Sequence, residues 1–263
     1  MLLILTHDVD WSRKGPSVEH VLARLDRFEW SYRYRFFSLR ENIYDGIPDI
    51  MEAEQRQGVK STFFFRVLYD DSTTAELYSD VISELRRGGW EVGLHANSGA
   101  SLEGIEAEKK VLEKLYTTNI YSLRVHYLKI EPGLIPKLST IGIRFDSSLC
   151  ITKTRPSLEN TGCVLYGGVV ELPVTVMDTY MFTYWGVKPE EVHAKLTEVL
   201  KHFKDLGVKI ATILWHTNSV KMRGGREYLR LVEEIWRLEW LTPIKVMDLA
   251  TYLNRGVPCK EVL

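Results

Sequence analysis

A chain of 263 residues with 34 Lys+Arg against 35 Asp+Glu has a formal net charge of −1, so it offers no bulk positive field and excludes nucleic acid held by overall charge. Apolar residues make up 45% and charged residues 26%, enough to bury a sizeable core, which excludes disordered and fibrous classes. The length suits one barrel of alternating strands and helices, read here as a single domain over residues 1–263.

In chain order, residues 2–6 read as a buried strand. They carry no basic leader and meet His7 and Asp8 too soon for a signal-peptide core, and no uncharged run of about 18 residues follows. The expectation is a cytoplasmic protein without a membrane span. Residues 10–58 form a long excursion whose aromatic stretch, 30–37, is read either as a lid or substrate wall or as a packed cover of the barrel end. Residues 61–65 form the second strand. Helix 71–87 follows, with Leu77, Val81, Ile82 and Leu85 on one face and Gly88-Gly89 as its stop. Strand 90–94 precedes helix 102–115, whose apolar positions are Ile105, Val111, Leu112 and Leu115. Strands at 121–125, 142–145 and 169–172 come next, then helix 189–206, opened by Pro189 and two glutamates and closed by Gly207. Strand 208–215, helix 225–238, a weaker strand at 244–247 and helix 248–254 complete the series. Short apolar runs alternating with helices predict a largely parallel sheet curled into a distorted α/β barrel. Cys150, Cys163 and Cys259 are odd in number and far apart, and are read as ordinary thiols of a reducing compartment.

Strand ends matter most, because such barrels place their chemistry at the C-terminal ends of the strands. The first strand leads into Thr6-His7-Asp8-Val9-Asp10-Trp11, with two carboxylates on one side of an extended chain. His95 ends the third strand, and Arg124 and His126 end the fourth. Asp146 follows the fifth, Asp178 follows the sixth, and His216 closes the seventh. One such residue alone is ordinarily a cap or a satisfied hydrogen bond. Together they suit a divalent transition metal flanked by a carboxylate base and an imidazole acid, an apparatus for hydrolysing an amide or ester.

The ordered set THDVDW (6–11), STFFF (61–65), EVGLH (91–95), SLRVHYLKIEP (122–132) and ILWH (213–216) resembles the polysaccharide deacetylase family, the NodB homology domain, from residue 1 to about residue 250. The resemblance implies a distorted (β/α) barrel of seven or eight strands, a divalent metal and removal of an acetyl group from an N-acetylated sugar. By position, Asp8 matches the family's catalytic base and Asp10 its metal-binding aspartate, in a D-x-D spelling where most members have adjacent aspartates. His95 matches the first metal-binding histidine, Arg124 the arginine that orients the base, and His216 the general acid. Asp178, or alternatively Asp146, matches the carboxylate that tunes that acid. The family usually carries a second metal-binding histidine four residues after the first, where this chain has Gly99. His126 is the most economical replacement, with Asn97, Ser98 or Ser101 as alternatives. The implied metal is Zn²⁺, with Co²⁺ or Ni²⁺ also suitable.

The divergent first motif is similar to a sub-branch linked to surface-polysaccharide biosynthesis. Trp11, Tyr127, Trp185 and Trp215 adjoin the motifs and are candidates for stacking on a sugar. Two other readings stand beside this one: hydrolysis of a small cyclic amide or imide on the same scaffold, and a sugar-binding relative without activity. The expected partner is a carbohydrate or other small-molecule substrate, and oligomeric state is left open.

Overall fold

Alternation along β1 (Leu2–Val9) organises the architecture: Leu3, Leu5, His7 and Val9 face the surrounding helices, and Leu2, Ile4, Thr6 and Asp8 face the barrel interior. A computed structural model describes residues 1–261. The strands continue as β2 (Thr62–Phe65), β3 (Glu91–Ala96), β4 (Ser122–Val125), β5 (Phe145–Asp146), β6 (Val164–Tyr166), β7 (Val169–Glu171), β8 (Val176–Met177), β9 (Ile210–Leu214), β10 (Thr242–Ile244) and β11 (Lys260–Glu261). They form one sheet in the order β11-β6-β7-β5-β4-β3-β2-β1-β9-β8, with β10 also on β1. Every pairing is parallel except β6 with β7. The result is a curled half-barrel. A backbone hydrogen bond from Gly162 to Ile210 (2.8 Å) reaches across its open side, linking the residues before β6 to β9.

The helices are α1 (Val18–Leu22), α2 (Trp30–Leu39), α3 (Ile47–Arg56), α4 (Ser79–Gly88), α5 (Leu102–Tyr116), α6 (Asp178–Thr183), α7 (Val192–Asp205), α8 (Gly225–Glu234) and α9 (Leu249–Leu253). Their ends follow local chemistry. Ser101 caps α5 by accepting from the Gly104 N–H, and Gly89 ends α4 at φ +85°. The helix expected over 71–87 begins only at Ser79, because the Asp71 carboxylate accepts from the Thr73 N–H (3.0 Å) and turns the chain first. Among the described residues, no helix is long and apolar enough to cross a membrane.

Two expectations are corrected. Cys163 and Cys259 are not separate thiols: β11 lies beside β6, the Cα atoms are 4.8 Å apart, and the two form a disulfide. Their spacing of 96 residues hides this, since strand pairing and not proximity along the chain brings them together. The cysteines therefore supply no argument for a reducing compartment. Among the described residues Cys150 alone is a free thiol, half-buried, with burial pushing its pKa up to about 11. The aromatic stretch 30–37 forms α2, whose Trp30 and Tyr34 are exposed, and none of its residues lines the catalytic-type pocket described below.

Candidate metal and acid–base centre

Register along the sheet stacks the inward positions of neighbouring strands. His95 on β3 lies level with Arg124 on β4, and Asp8 on β1 lies level with Phe64 on β2. Gly93 makes this packing possible: a Cβ there would sit 2.6 Å from the Phe64 ring. Phe64 in turn carries the Arg124 guanidinium 4.6 Å above its ring centroid.

Arg124 is fully buried and every part of its fork is used. Nη1 donates to Asp8 Oδ1 and Thr6 Oγ1, both at 2.9 Å, while Nε and Nη2 donate to the carbonyl and hydroxyl of Ser147 at 2.9 and 2.7 Å. Asp8 is thus fixed through one oxygen. Its other oxygen, Oδ2, faces the pocket 3.7 Å from His95 Nε2.

Asp10, His95 and His126 each present a ligand-type atom, all within 4.8 Å of one another. His95 Nδ1 donates to the Arg124 carbonyl at 3.0 Å, which leaves its Nε2 directed at Asp10 Oδ1 (3.1 Å) and His126 Nδ1 (3.0 Å). His126 Nδ1 also lies 3.4 Å from Asp10 Oδ1, and its Nε2 is buried without a hydrogen-bond partner. A carboxylate oxygen and two imidazole nitrogens converging this closely need positive charge between them, and this donor set fits a divalent transition metal. Burial alone would raise the Asp10 pKa. Hydrogen bonds from His126 and His95, with the charges of His216 and His95, hold it well below the usual carboxylate range.

On the far side, His216 Nδ1 donates to Asp178 Oδ1 at 2.6 Å, and the His216 backbone N–H donates to Asp178 Oδ2 at 3.1 Å. His216 Nε2 then points inward, 3.6 Å from Asp10 Oδ2. Burial opposes the imidazolium, but the Asp178 charge and hydrogen bond, reinforced by Asp10 and Asp8, push its pKa up to about 10. Asp178 is favoured over Asp146 by strand order: β8 and β9 are neighbours. Asp146 instead lies behind Arg124 beside the fully buried Glu171, and accepts from Ser148 Oγ at 2.6 Å.

The structure accounts for glycine at position 99. A Cβ there would meet the Lys129 carbonyl oxygen at 2.1 Å and Val125 Cγ1 at 2.6 Å. The segment after β4 crosses over Gly99, and the Glu131 N–H donates to the Gly99 carbonyl at 2.9 Å. That crossing is also what presents His126, on a turn where Tyr127 and Leu128 take left-handed φ values of +60° and +54°. The alternatives have other duties. The Asn97 side chain accepts from Arg66 Nε and donates to the Leu68 carbonyl, the Ser101 hydroxyl caps α5, and Ser98 does not line the pocket.

The pocket, about 220 Å³, is lined by these ionisable groups together with Tyr127, Leu128, Met177 and Tyr180. Tyr127 packs on the His126 ring at 3.9 Å and is 69% exposed, so its outer face is open at the rim. The other three stacking candidates do not line this pocket. Trp215 is buried and stacked on Tyr228 at 4.4 Å, Trp11 packs on His20 and Tyr44, and Trp185 bonds the Lys153 carbonyl. Two supporting residues escaped the sequence reading. Arg66, immediately after the STFFF strand, donates to the Asp10 carbonyl (3.3 Å) and to Asn97. Ser147 anchors Arg124. Neither belongs to a recognisable spacing.

No family model matches the chain, and no curated protein sequence does. Solved structures do. One, from Mycobacterium smegmatis and assigned as a polysaccharide deacetylase, aligns over 100% of this chain and 93% of its own, with TM-score 0.69 and 16% identity. The Puue allantoinase aligns over 98% and 91%, with TM-score 0.66 and 13% identity. A family 4 acetyl xylan esterase from Clostridium thermocellum in complex with a cobalt ion aligns over 98% and 93%, with TM-score 0.51 and 17% identity. The chain thus has the curled half-barrel fold of the polysaccharide deacetylases.

Proposed function

We propose that this chain is a metal-dependent hydrolase that removes the acetyl group from an N-acetylated sugar, acting in surface-glycan metabolism, with residues 1–263 as one catalytic unit. The observation that carries this reading is the placement of Asp8 Oδ2 and His216 Nε2 around the Asp10/His95/His126 cluster. Asp10, His95 and His126 hold the ion, Zn²⁺ or equally Co²⁺ or Ni²⁺. When bound, the metal supplies Lewis acidity to a carbonyl and makes water a better nucleophile at neutral pH.

The remaining work falls to side chains. Arg124 holds Asp8 through Oδ1, so that Oδ2 takes the proton from the attacking water. His216 enters the reaction as an imidazolium, maintained by Asp178, and its Nε2 gives its proton to the departing amine. Tyr127 at the rim offers a flat face to the sugar ring. The products are acetate and a free amino sugar.

The test is acetate release from N-acetylated oligosaccharides by metal-stripped protein reloaded with zinc, cobalt or nickel. Release that depends on metal and disappears in Asp8→Asn supports the reading, and no release with any of the three overturns it. Altering a residue that only supports a metal ligand costs about 10–100-fold in metal affinity, so His126→Ala is expected to lose more than about a hundredfold, read by zinc titration.

A second reading is favoured by the size of the pocket: about 220 Å³ accommodates a single small ring. Hydrolysis of a cyclic amide, in keeping with the similarity to an allantoinase, uses the same base and acid. Relative rates on N-acetyl sugars and on ring amides separate the two.

A further inference from the structure

A second cavity, about 440 Å³, adjoins the catalytic-type pocket and shares Thr179 with it. It opens between α6 and two segments that are held together. The Arg223 N–H donates to the Arg27 carbonyl at 2.7 Å, and Phe28 and Met222 form an antiparallel bridge. Arg223 belongs to the loop that leaves β9 through His216, so one segment carries both the imidazole and a wall of the cavity. The cross-link sets the two arginines, Arg27 and Arg223, side by side at the cavity. Neither guanidinium is paired with a carboxylate among the described residues, unlike those of Arg13, Arg35, Arg56, Arg66, Arg124 and Arg230. Asp26 lines the same cavity without reaching either of them at ion-pair distance.

We propose that this cavity is a subsite for a phosphoryl group, carried by the substrate beside the acetamido sugar. Two guanidinium forks and the hydroxyl of Thr183 supply more donors than one carboxylate accepts, and match the terminal oxygens of a phosphate ester or of a diphosphate, while the hydroxyls of Thr179 and Ser219 are turned to Asp178. The volume is sufficient for a diphosphate. A chain of net charge −1 cannot attract such a group by its overall field, so the anion must be met locally. Thr179 marks the junction. Its N–H donates at 2.6 Å to Asp178, the partner of His216, so an anion in the cavity sits one residue from the acid–base machinery. Assignment of the phosphoryl group to the substrate rests on the deacetylase reading, whereas affinity of the cavity for the anion does not.

The experiment has two arms. Metal-stripped protein is titrated with pyrophosphate by calorimetry, as wild type and as the Arg27→Gln/Arg223→Gln double variant. Both arginines are exposed, and matching thermal melts verify that the variant is folded. Zinc-loaded protein is then assayed on N-acetylglucosamine 1-phosphate, an N-acetylated uronic acid and a neutral N-acetylglucosamine oligosaccharide. Saturable, salt-sensitive pyrophosphate binding is expected, weakened at least about tenfold in the variant, and the ratio of kcat/KM on the phosphate ester to that on the neutral sugar should fall by about the same factor. No saturable binding, or equal binding by the variant, overturns the proposal. Preference for the uronic acid over the phosphate ester overturns the phosphoryl assignment. Arginine-dependent pyrophosphate binding without acetate release from any of the three sugars leaves the anion site standing and removes the deacetylase reading.

Discussion

A buried imidazole beside a carboxylate titrates according to which influence is larger, and at His216 the carboxylate prevails. Burial favours the neutral ring, yet Asp178 at 2.6 Å pushes the pKa up to about 10. With His216 as the proposed general acid, which must be protonated to act, activity is expected to fall as pH rises through this value. Asp178→Asn removes the largest favourable contribution, lowers the His216 pKa and moves the alkaline limb of the kcat/KM profile to lower pH. At about pH 9 the zinc-loaded variant is expected to lose at least about tenfold relative to its own maximum, read from a pH–rate series against wild type. An unchanged alkaline limb would show that His216 is not the acid. Glu171 and Asp146 present the reverse case. Burial, then the neighbouring Asp146 charge, raises the Glu171 carboxyl well above the ordinary range, and burial raises Asp146. The folded chain therefore holds a proton that the unfolded chain releases above about pH 4.5, and this pair contributes stability that declines as pH rises from there. Glu171→Gln keeps an acceptor for the Leu149 N–H, now 3.0 Å from Glu171 Oε1, without titrating. Its stability relative to wild type should rise as pH increases above about 4.5 in urea melts, and a flat difference would exclude the retained proton.

At the scale of elements, alternation along the strands explains most of the centre. Asp8, His95, Arg124 and His216 occupy inward positions because a strand turns every second side chain to the same face, and parallel register sets their heights. His126 obeys a different constraint. It follows β4 on a turn with two left-handed residues, pressed over Gly99, and conformations of this kind persist only where the surroundings enforce them. Gly99→Ala places a methyl group against the Lys129 carbonyl and Val125. It should cost about 1–3 kcal/mol in urea melts and, by displacing the turn, weaken zinc binding. Normal zinc affinity in a destabilised variant would separate the turn from the metal. The excursion between β1 and β2 also has a division of labour. Phe28, Ile43 and Tyr44 are buried in a small core of their own, Trp30 and Tyr34 on α2 face outward, and Arg27 reaches the second cavity.

Across the whole molecule, the sheet curls without closing on itself, and the Cys163–Cys259 disulfide fastens β11 to β6 at one edge. The bridge closes a loop spanning 96 residues, so its loss releases considerable freedom in the unfolded chain. Cys163→Ser/Cys259→Ser is expected to lower stability by about 2–4 kcal/mol, with zinc content unchanged because the metal-type cluster is built on the other strands. Equal urea midpoints for wild type with and without reductant would show that the bridge contributes nothing.

Much of this was legible in the sequence. Runs of apolar residues separated by helical periodicity located eight of the strands and the main helices, because period and local chemistry act between residues close along the chain. The same logic placed Asp8, Asp10, His95, Arg124 and His216 at strand ends, whereas Asp178 follows not the strand read at 169–172 but the two-residue β8. The short strands β6, β8 and β11 carry too few residues to establish a period. Other outcomes depended on which distant segments meet. Strand order set Asp178 and not Asp146 beside His216, a chain crossing left room for nothing larger than glycine at position 99 and brought His126 to the cluster, and edge pairing joined two cysteines. Packing of the β1–β2 excursion on the loop after β9 set Arg27 beside Arg223. Sequence alone determined the elements and their inward faces through short-range periodicity; tertiary structure decided which of those faces share a pocket, because close packing and sheet order act between residues that the chain itself holds far apart.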